Sequence, residues 1–290
     1  MGREDTRVRT TLIVNADDFG FSDGVTDAII DSHRRGILTS TTLMCTMPDA
    51  ARAADLSGGL PNLGVGIHLC LTQGISRAPN LKALVAATTG RGPSLDQSVP
   101  SLIRKVQFSR TAREEARREW KAQIEWALSA GIKPTHLDSH KHIHHWPVLG
   151  RIAIGLAKEY NIPAIRCARE AQLDLLPCGA AYRGLSYLGH RLATAAEAAG
   201  LKTTDWFYGL AATGRFSEDH WLAVIPKLPA GVGEIMVHPG RADGLPTGST
   251  RLVAERELEW KGITAPSVIQ SLNNRGINLN NYSGPASALE

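Results

Sequence analysis

Residues 12–20 read LIVNADDFG, an apolar run that ends in two adjacent carboxylates, Asp17 and Asp18. The run predicts a buried β-strand, and the helical period over 25–35 predicts a helix directly after it. Two charges at the end of a buried strand are unfavourable unless they have a counter-charge or a function. An N-cap of the following helix would account for one aspartate but not for both. Because adjacent strand residues point to opposite sides, one carboxylate can bind a cation while the other transfers a proton.

The same alternation of strands and helices continues along the chain. Repeated βα units predict an α/β fold, a (β/α) barrel that is distorted or incompletely regular, formed by one domain over residues 1–290. Two segments rich in Gly, Pro, Ser and Arg, 72–110 and 169–186, are interpreted as loops that shape a substrate site. The predicted strands span 12–16, 40–45, 65–69, 135–138, 164–167, 205–208 and 234–238, and the predicted helices span 25–35, 49–56, 111–130, 147–160, 252–261 and 266–274.

Charge and composition exclude several classes of protein. The formal net charge of +4 comes from 32 basic and 28 acidic residues without a basic cluster, so nucleic acid is not an expected partner. Four widely spaced cysteines predict free thiols in a reducing compartment. The N-terminus lacks the apolar region of a signal peptide, and no run approaches the roughly 20 apolar residues of a membrane span. We therefore expect a cytoplasmic protein, with peripheral membrane contact and a homodimer left open.

The strongest chemical signal is residues 136–145, HLDSHKHIHH, which hold five of the ten histidines of the chain. So many imidazoles in a segment that is not of low complexity indicate a metal site, although not all five can be ligands. Another histidine, His68, ends the apolar run at 64–69; alone it would more often be a hydrogen-bonded core residue. One carboxylate and two imidazoles leave coordination positions open, as a catalytic ion requires.

Two later residues complete the candidate site. The apolar run at 233–237 is followed by His238, which could protonate a leaving group if it faces the same barrel mouth as Asp17. Arg166, at the end of the predicted strand 164–167, could either hold Asp17 or bind substrate. Because no phosphate-binding glycine loop, serine elbow or catalytic cysteine motif is present, we do not expect covalent catalysis.

Several motifs resemble those of the YdjC-like (ChbG-type) carbohydrate deacetylases. They are NADDFG at 15–20, LTSTT at 38–42, GIHL at 66–69, KPTHLDSH at 133–140 and HP at 238–239, and they span nearly the whole chain. The resemblance implies a barrel of the polysaccharide-deacetylase type that removes acetyl groups from N-acetylated sugars with one divalent ion. Zn or Mg is the first expectation for this ion, with Ni, Co or Fe as alternatives.

The resemblance also implies individual roles. Asp18, His68 and His140 match the metal ligands, Asp17 matches the base, and His238 matches the proposed acid. We further expect Arg166, His142 and His144 to contact substrate, and we leave the roles of His136, Asp138 and His145 open. Residues 200–210 and 228–231 resemble the hopanoid-biosynthesis-associated branch, which implies a glycolipid substrate in place of a soluble chito-oligosaccharide.

Two other functions remain alternatives at this point. A metal-dependent phosphohydrolase also uses His and Asp at barrel strand ends, but usually with two or more ions. A sugar-binding or metal-storage barrel would keep the ligands but would have no use for Asp17.

Overall fold

A curved parallel β-sheet organises the chain in this computed structural model, which describes residues 10–90, 92–173, 175–245, 248 and 250–284. The strands are β1 Thr10–Phe19, β2 Ser40–Leu43, β3 Gly64–Leu69, β4 Ala87–Thr89, β5 Gly92–Ser94, β6 Leu137–Ser139, β7 Trp206–Tyr208, β8 Gly231–Val237 and β9 Asn278–Leu279. The main sheet has the order β6-β3-β2-β1-β8-β7, and β9 pairs with the start of β1. β4 and β5 form a separate antiparallel pair.

The gap between β6 and β7 is crossed by residues 164–170 through isolated parallel bridges. Ile165 bridges to Leu137 of β6, Ala164 bridges to Lys202, and Glu170 bridges to Phe207 of β7. These bridges complete the barrel irregularly, which confirms the expected distorted (β/α) barrel. The predicted strand at 164–167 is wrong in its extent, because only two of its residues form bridges; Pro163, just before it, has no N–H to lengthen the ladder.

Helices cover the outside of the sheet, and their packing explains why the strands are continuously apolar. Leu12 and Val14 of β1 are fully buried, as expected for a parallel sheet with covered faces. No helix among the described residues is both long and apolar enough to cross a membrane. The helices are α1 Asp23–Arg35, α2 Ala50–Ser57, α3 Val99–Phe108, α4 Arg110–Ser129, α5 Pro147–Glu159, α6 Ala180–Ala198, α7 Glu218–Val224, α8 Ala254–Ile263 and α9 Pro266–Asn274, with 3-10 turns at His140–His145 and Ile225–Lys227.

The two predicted loops contain regular structure that periodicity did not reveal. The segment 72–110 holds the β4–β5 pair and α3, and the segment 169–186 holds the start of α6. Two buried carboxylates of α4 fix the first segment: Glu119 accepts hydrogen bonds from the backbone N–H groups of residues 77 and 78, and Glu115 from those of residues 82–84. These two glutamates therefore bind the backbone of a loop, although the many charged residues of α4 would suggest that they face solvent.

Candidate active site

The two aspartates of β1 occupy a break in the strand. The register between β1 and β2 shifts between Ala16 and Phe19, and Asp18 has a left-handed backbone with φ 68°. A positive φ is unusual for a residue other than glycine and is found disproportionately at functional sites. At this break the two side chains reach different partners: Asp17 contacts Arg166, and Asp18 contacts Arg256.

A cavity of about 510 Å³ lies at the carboxyl ends of the strands. The walls near α6 and β8 are apolar and include Tyr182, Leu185, Leu210 and Met236. The other side of the cavity is polar, which is the usual composition of a site that holds and orients a small ligand. Of the predicted site residues, the cavity lining contains Asp17, Asp18, His68, His140, His142 and His238, whereas Arg166 and His144 are not part of it.

His68 is oriented by a buried carboxylate. Its Nδ1 donates a hydrogen bond of 2.8 Å to Asp138 Oδ1, which leaves Nε2 directed at Asp18 Oδ1 across 3.6 Å. Burial would lower the pKa of His68, but the charge and hydrogen bond of Asp138 outweigh burial and raise it to about 9, so the ring would have to release a proton on binding a cation. A carboxylate behind one imidazole nitrogen is the arrangement that prepares the other nitrogen for a metal. The sequence left Asp138 without a role, and the structure gives it this contact.

His140 begins the 3-10 turn that follows β6. Its Nδ1 shares a hydrogen bond of 2.8 Å with Thr72 Oγ1, so the ring is held from the outer side. Burial lowers the pKa of His140 to about 3, which keeps the imidazole neutral and able to coordinate. The next two residues, Lys141 and His142, have left-handed backbones with φ 58° and 52°. This kink is a feature that the strand alternation of the sequence could not predict.

Arg166 lies beneath the cavity with no exposed surface. Each of its three guanidinium nitrogens binds a carboxylate: Nη1 donates to Asp17 Oδ2 at 2.8 Å and forms an ion pair with Asp138 Oδ2 at 2.6 Å, Nη2 donates to Asp17 Oδ1 and to Glu234 Oε1 at 2.7 Å each, and Nε donates to Glu234 Oε1 at 2.9 Å. The expectation that Arg166 contacts substrate therefore does not fit the structure, since Arg166 is buried outside the cavity lining and each of its guanidinium nitrogens binds a carboxylate. The alternative interpretation, in which Arg166 holds Asp17, does fit.

His144 is also placed away from substrate. It is fully buried, its Nδ1 lies 2.6 Å from Ser139 Oγ, and its Nε2 lies 2.9 Å from the carbonyl oxygen of Arg166. With both ring nitrogens bonded inside the protein, His144 supports the turn and the backbone at Arg166. The expected contact of His144 with substrate therefore does not fit this position. Of Arg166, His142 and His144, only His142 remains a candidate for a substrate contact.

The residues around His238 include two charged side chains that the sequence did not single out. Glu259 of α8 accepts the backbone N–H of His238 at 2.5 Å, and its carboxylate lies 4.0 Å from His238 Nδ1. Arg256, one turn earlier, binds Asp18 Oδ2 at 2.5 Å and is 1% exposed. Burial lowers the pKa of His238 to about 4 and raises that of Glu259 to about 7. The sequence signal that could have identified them is their spacing: Arg256 and Glu259 are charged residues three positions apart, and both are buried on α8.

The electrostatics of Asp17 and Asp18 favour their charged forms. Burial alone would raise both pKa values, but the charge of Arg166 at Asp17 and that of Arg256 at Asp18 more than compensate and hold both well below the usual range. Both carboxylates are therefore ionised at neutral pH.

Two sets of side chains could hold a cation. Ligand atoms of Asp17, His68 and Asp138 lie within 4.8 Å of one another. In that set, however, Arg166 already binds both aspartates and Asp138 binds His68 Nδ1. Asp18 and His68 Nε2 face each other at 3.6 Å, too far apart for a hydrogen bond, and both line the cavity with His140. Among the described residues, the first set is the one whose three ligand atoms all lie within 4.8 Å of one another, and the second set is the one with the freer ligand atoms.

The fold and the cavity define a class of protein: a parallel α/β barrel with paired carboxylates and imidazoles at the carboxyl ends of its strands. The chain belongs to the YdjC-like protein family, whose model matches residues 11–274.

Individual relatives agree with this assignment. The chain is 34% identical over 277 residues to a carbohydrate deacetylase of Clostridium beijerinckii, a match that covers 93% of this chain and 98% of the relative. It is 34% identical over 283 residues to a carbohydrate deacetylase of Brevibacillus brevis, covering 94% and 98%. A solved structure from Enterococcus faecalis V583, described as a candidate cellobiose-phosphate cleavage protein, has a TM-score of 0.71 and 28% identity and covers 96% of this chain and 99% of that one.

Proposed function

We propose that this protein is a metal-dependent carbohydrate N-deacetylase that acts on an N-acetylglucosamine-type sugar. The observation that carries the proposal is that two adjacent carboxylates have different partners: Arg166 binds Asp17, while Asp18 Oδ1 lies 3.6 Å from His68 Nε2. The carbohydrate deacetylases that align over nearly their full length support the same reaction.

Asp18, His68 through Nε2, and His140 would hold one divalent ion. The donor set fits, because one carboxylate and two imidazoles leave open positions, and Asp138 orients His68 from behind. Imidazole ligands favour Zn, Ni, Co or Fe, and Mg is the oxygen-preferring alternative. When bound, such an ion polarises an amide carbonyl and acidifies water.

The protein's own groups supply proton transfer. Asp17, ionised and fixed by Arg166, takes a proton from the water whose oxygen bonds to the acetamide carbon. The C–N bond then breaks, and His238 gives a proton to the departing nitrogen. Since burial holds the pKa of His238 at about 4, the ring is neutral at pH 7, and the proton it gives to the nitrogen is the one that Asp17 took from the water and passed to it during the reaction. The products are acetate and an amino sugar.

The composition of the cavity wall indicates which kind of substrate could bind. Tyr182, Leu185 and Leu210 offer an apolar surface next to the polar site, which suits the apolar face of a sugar ring or an apolar group attached to it. The substrate is an N-acetylglucosaminyl hopanoid or, as the alternative, a soluble chito-oligosaccharide. His142, which also lines the cavity, is the candidate for a polar sugar contact.

Mass spectrometry tests the proposal. Both kinds of substrate are incubated with the protein, with and without chelator, and the mass difference of one acetyl group is measured. Loss of the acetyl group that chelator prevents and added metal restores is the expected result. No loss from either substrate by metal-loaded protein would contradict it, and release of phosphate from phosphate esters would then indicate a phosphohydrolase. Cytoplasmic location, supported by four unpaired cysteines, and a homodimer stay predictions.

A further inference from the structure

We propose that Tyr282, in the segment after α9, positions the base Asp17 by way of Glu234 and Arg166. The inference rests on the proposed function, because it takes Asp17 as the base. It adds a residue beyond positions 11–274, the part of the chain that the family model matches.

The C-terminal segment closes the base of the barrel. β9 pairs with Thr11 and Leu12 of β1, and the N–H of Asn280 donates to the carbonyl oxygen of Leu12 at 3.0 Å. These contacts bring Tyr282 into the interior, where it is 6% exposed. Its ring stacks on His136 with ring centroids 3.8 Å apart and planes 17° apart. The segment is therefore a packed part of the barrel and places a phenol in its core.

A continuous set of hydrogen bonds runs from this phenol to the base. The Tyr282 hydroxyl donates to Glu234 Oε2. The other oxygen of Glu234, Oε1, accepts from Arg166 Nε at 2.9 Å and from Nη2 at 2.7 Å. Arg166 then binds both oxygens of Asp17. Glu234 and Arg166 are fully buried, so these bonds lie out of contact with bulk solvent.

Glu234 fixes the direction of the Arg166 guanidinium, because it binds Nε as well as one Nη. Within the described residues, Tyr282 and Arg166 are the only donors to the Glu234 carboxylate. Without the Tyr282 hydroxyl, Oε2 has no partner in a buried site, and the carboxylate must shift or take a proton. Either change loosens Arg166 and, through it, the placement of Asp17. A small misplacement of a catalytic group lowers kcat more than it changes substrate binding.

The test uses Tyr282→Phe, which keeps the ring on His136 and removes only the hydroxyl. We expect kcat to fall about tenfold with KM unchanged and the protein still folded. The matched control is Tyr160→Phe, which removes a tyrosine–glutamate hydrogen bond of 2.7 Å to Glu125 at the surface. This control should keep the wild-type kcat. In a Glu234→Gln background, Tyr282→Phe should cause no further loss, because the path is already broken.

A second measurement does not depend on activity. Hydrogen exchange of the Arg166 Nε–H with water, followed by NMR and assigned by its loss in Arg166→Lys, should be at least about tenfold faster in Tyr282→Phe than in wild type or Tyr160→Phe. Unchanged exchange, or an equal loss of kcat with and without Glu234, would overturn the inference. A wild-type protein that removes no acetyl group would instead refute the proposed function, and the exchange measurement would still decide whether Tyr282 positions Arg166.

Discussion

Arg166 binds Asp17 through two parallel hydrogen bonds, Nη1 to Oδ2 at 2.8 Å and Nη2 to Oδ1 at 2.7 Å, in a position closed to solvent. A two-point pair of this kind fixes the carboxylate in rotation as well as in place. The same guanidinium binds Asp138, which orients His68. One buried cation therefore positions both the proposed base, Asp17, and one proposed metal ligand, His68, relative to each other.

Replacing Asp17 by Asn should lower kcat about 10²–10⁴-fold, the usual contribution of a general base, while the protein keeps its metal. The amide cannot accept the proton, whereas Asp18, His68 and His140 are untouched. Steady-state kinetics together with metal analysis of the purified variant measures both effects. Asp55→Asn, an exposed position on α2, serves as the control. Activity within a few-fold of wild type would remove Asp17 as the base.

Replacing His140 by Gln should remove most of the bound metal, because it deletes one of three proposed ligands. His145→Gln changes a neighbouring buried histidine whose Nε2 accepts the N–H of Ala168 at 3.3 Å, and it should retain the metal. Metal content per chain after dialysis distinguishes the two variants. Full occupancy in His140→Gln would favour the set formed by Asp17, His68 and Asp138 as the binding site.

The metal-free protein should lose stability as the pH falls from about 7 to about 5. Burial lowers the pKa of His136 and His142 to about 3 and that of His144 to about 4, from 6.5. Between these values the unfolded chain binds more protons than the folded one, so the stabilisation present above the unfolded pKa is lost on acidification. Urea titrations at several pH values measure the slope.

Replacing one buried histidine tests the cause of that slope. His144→Gln should flatten the pH dependence of the free energy of unfolding, whereas exposed His190→Gln should leave it unchanged. Glu170 and Glu259, whose pKa values burial raises to about 7, contribute in the opposite direction, as does His68, whose pKa Asp138 raises to about 9, but these groups are fewer than the buried histidines whose pKa is lowered. Stability that rises on acidification would show that these carboxyl groups outweigh the imidazoles.

Two glycine substitutions should have opposite effects on stability. A Cβ at Gly66 of β3 would lie 2.5 Å from the His136 ring and 2.8 Å from its carbonyl oxygen, so Gly66→Ala should destabilise by about 1–3 kcal/mol or more. A Cβ at Gly155, within α5, meets no atom within 4 Å, so Gly155→Ala should stabilise by about 0.5–1 kcal/mol. Thermal unfolding of both variants gives the comparison. Equal effects of the two would contradict the close contact at Gly66.

Local patterns in the sequence predicted most of the fold, because β1, β2, β3, β6, β7 and β8 all contain apolar runs and most of them are followed by a segment of helical period. The segment 164–167 was the exception: it resembles a strand, but its neighbours provide only single bridges. The helices α3, α6 and α7 were missed; α3 and the start of α6 lie in the two segments whose content of Gly, Pro, Ser and Arg led to their interpretation as loops. Substrate contacts were harder to predict than the fold. Arg166 and His144 lie near strand ends, as the residues that line the cavity do, but both are buried outside the cavity.

The sequence by itself determined which residues carry the chemistry of the site. A carboxylate pair, a histidine-rich segment and two further histidines are local features of the sequence, and each of them lies at or next to the end of a strand. Only the tertiary structure decided which groups face the cavity and which pair beneath it. Arg166 meets Asp17 across 149 positions of the chain, and Arg256 meets Asp18 across 238. Such contacts depend on barrel closure and on burial, which sets the energy of each charge, and neither property belongs to a short stretch of sequence.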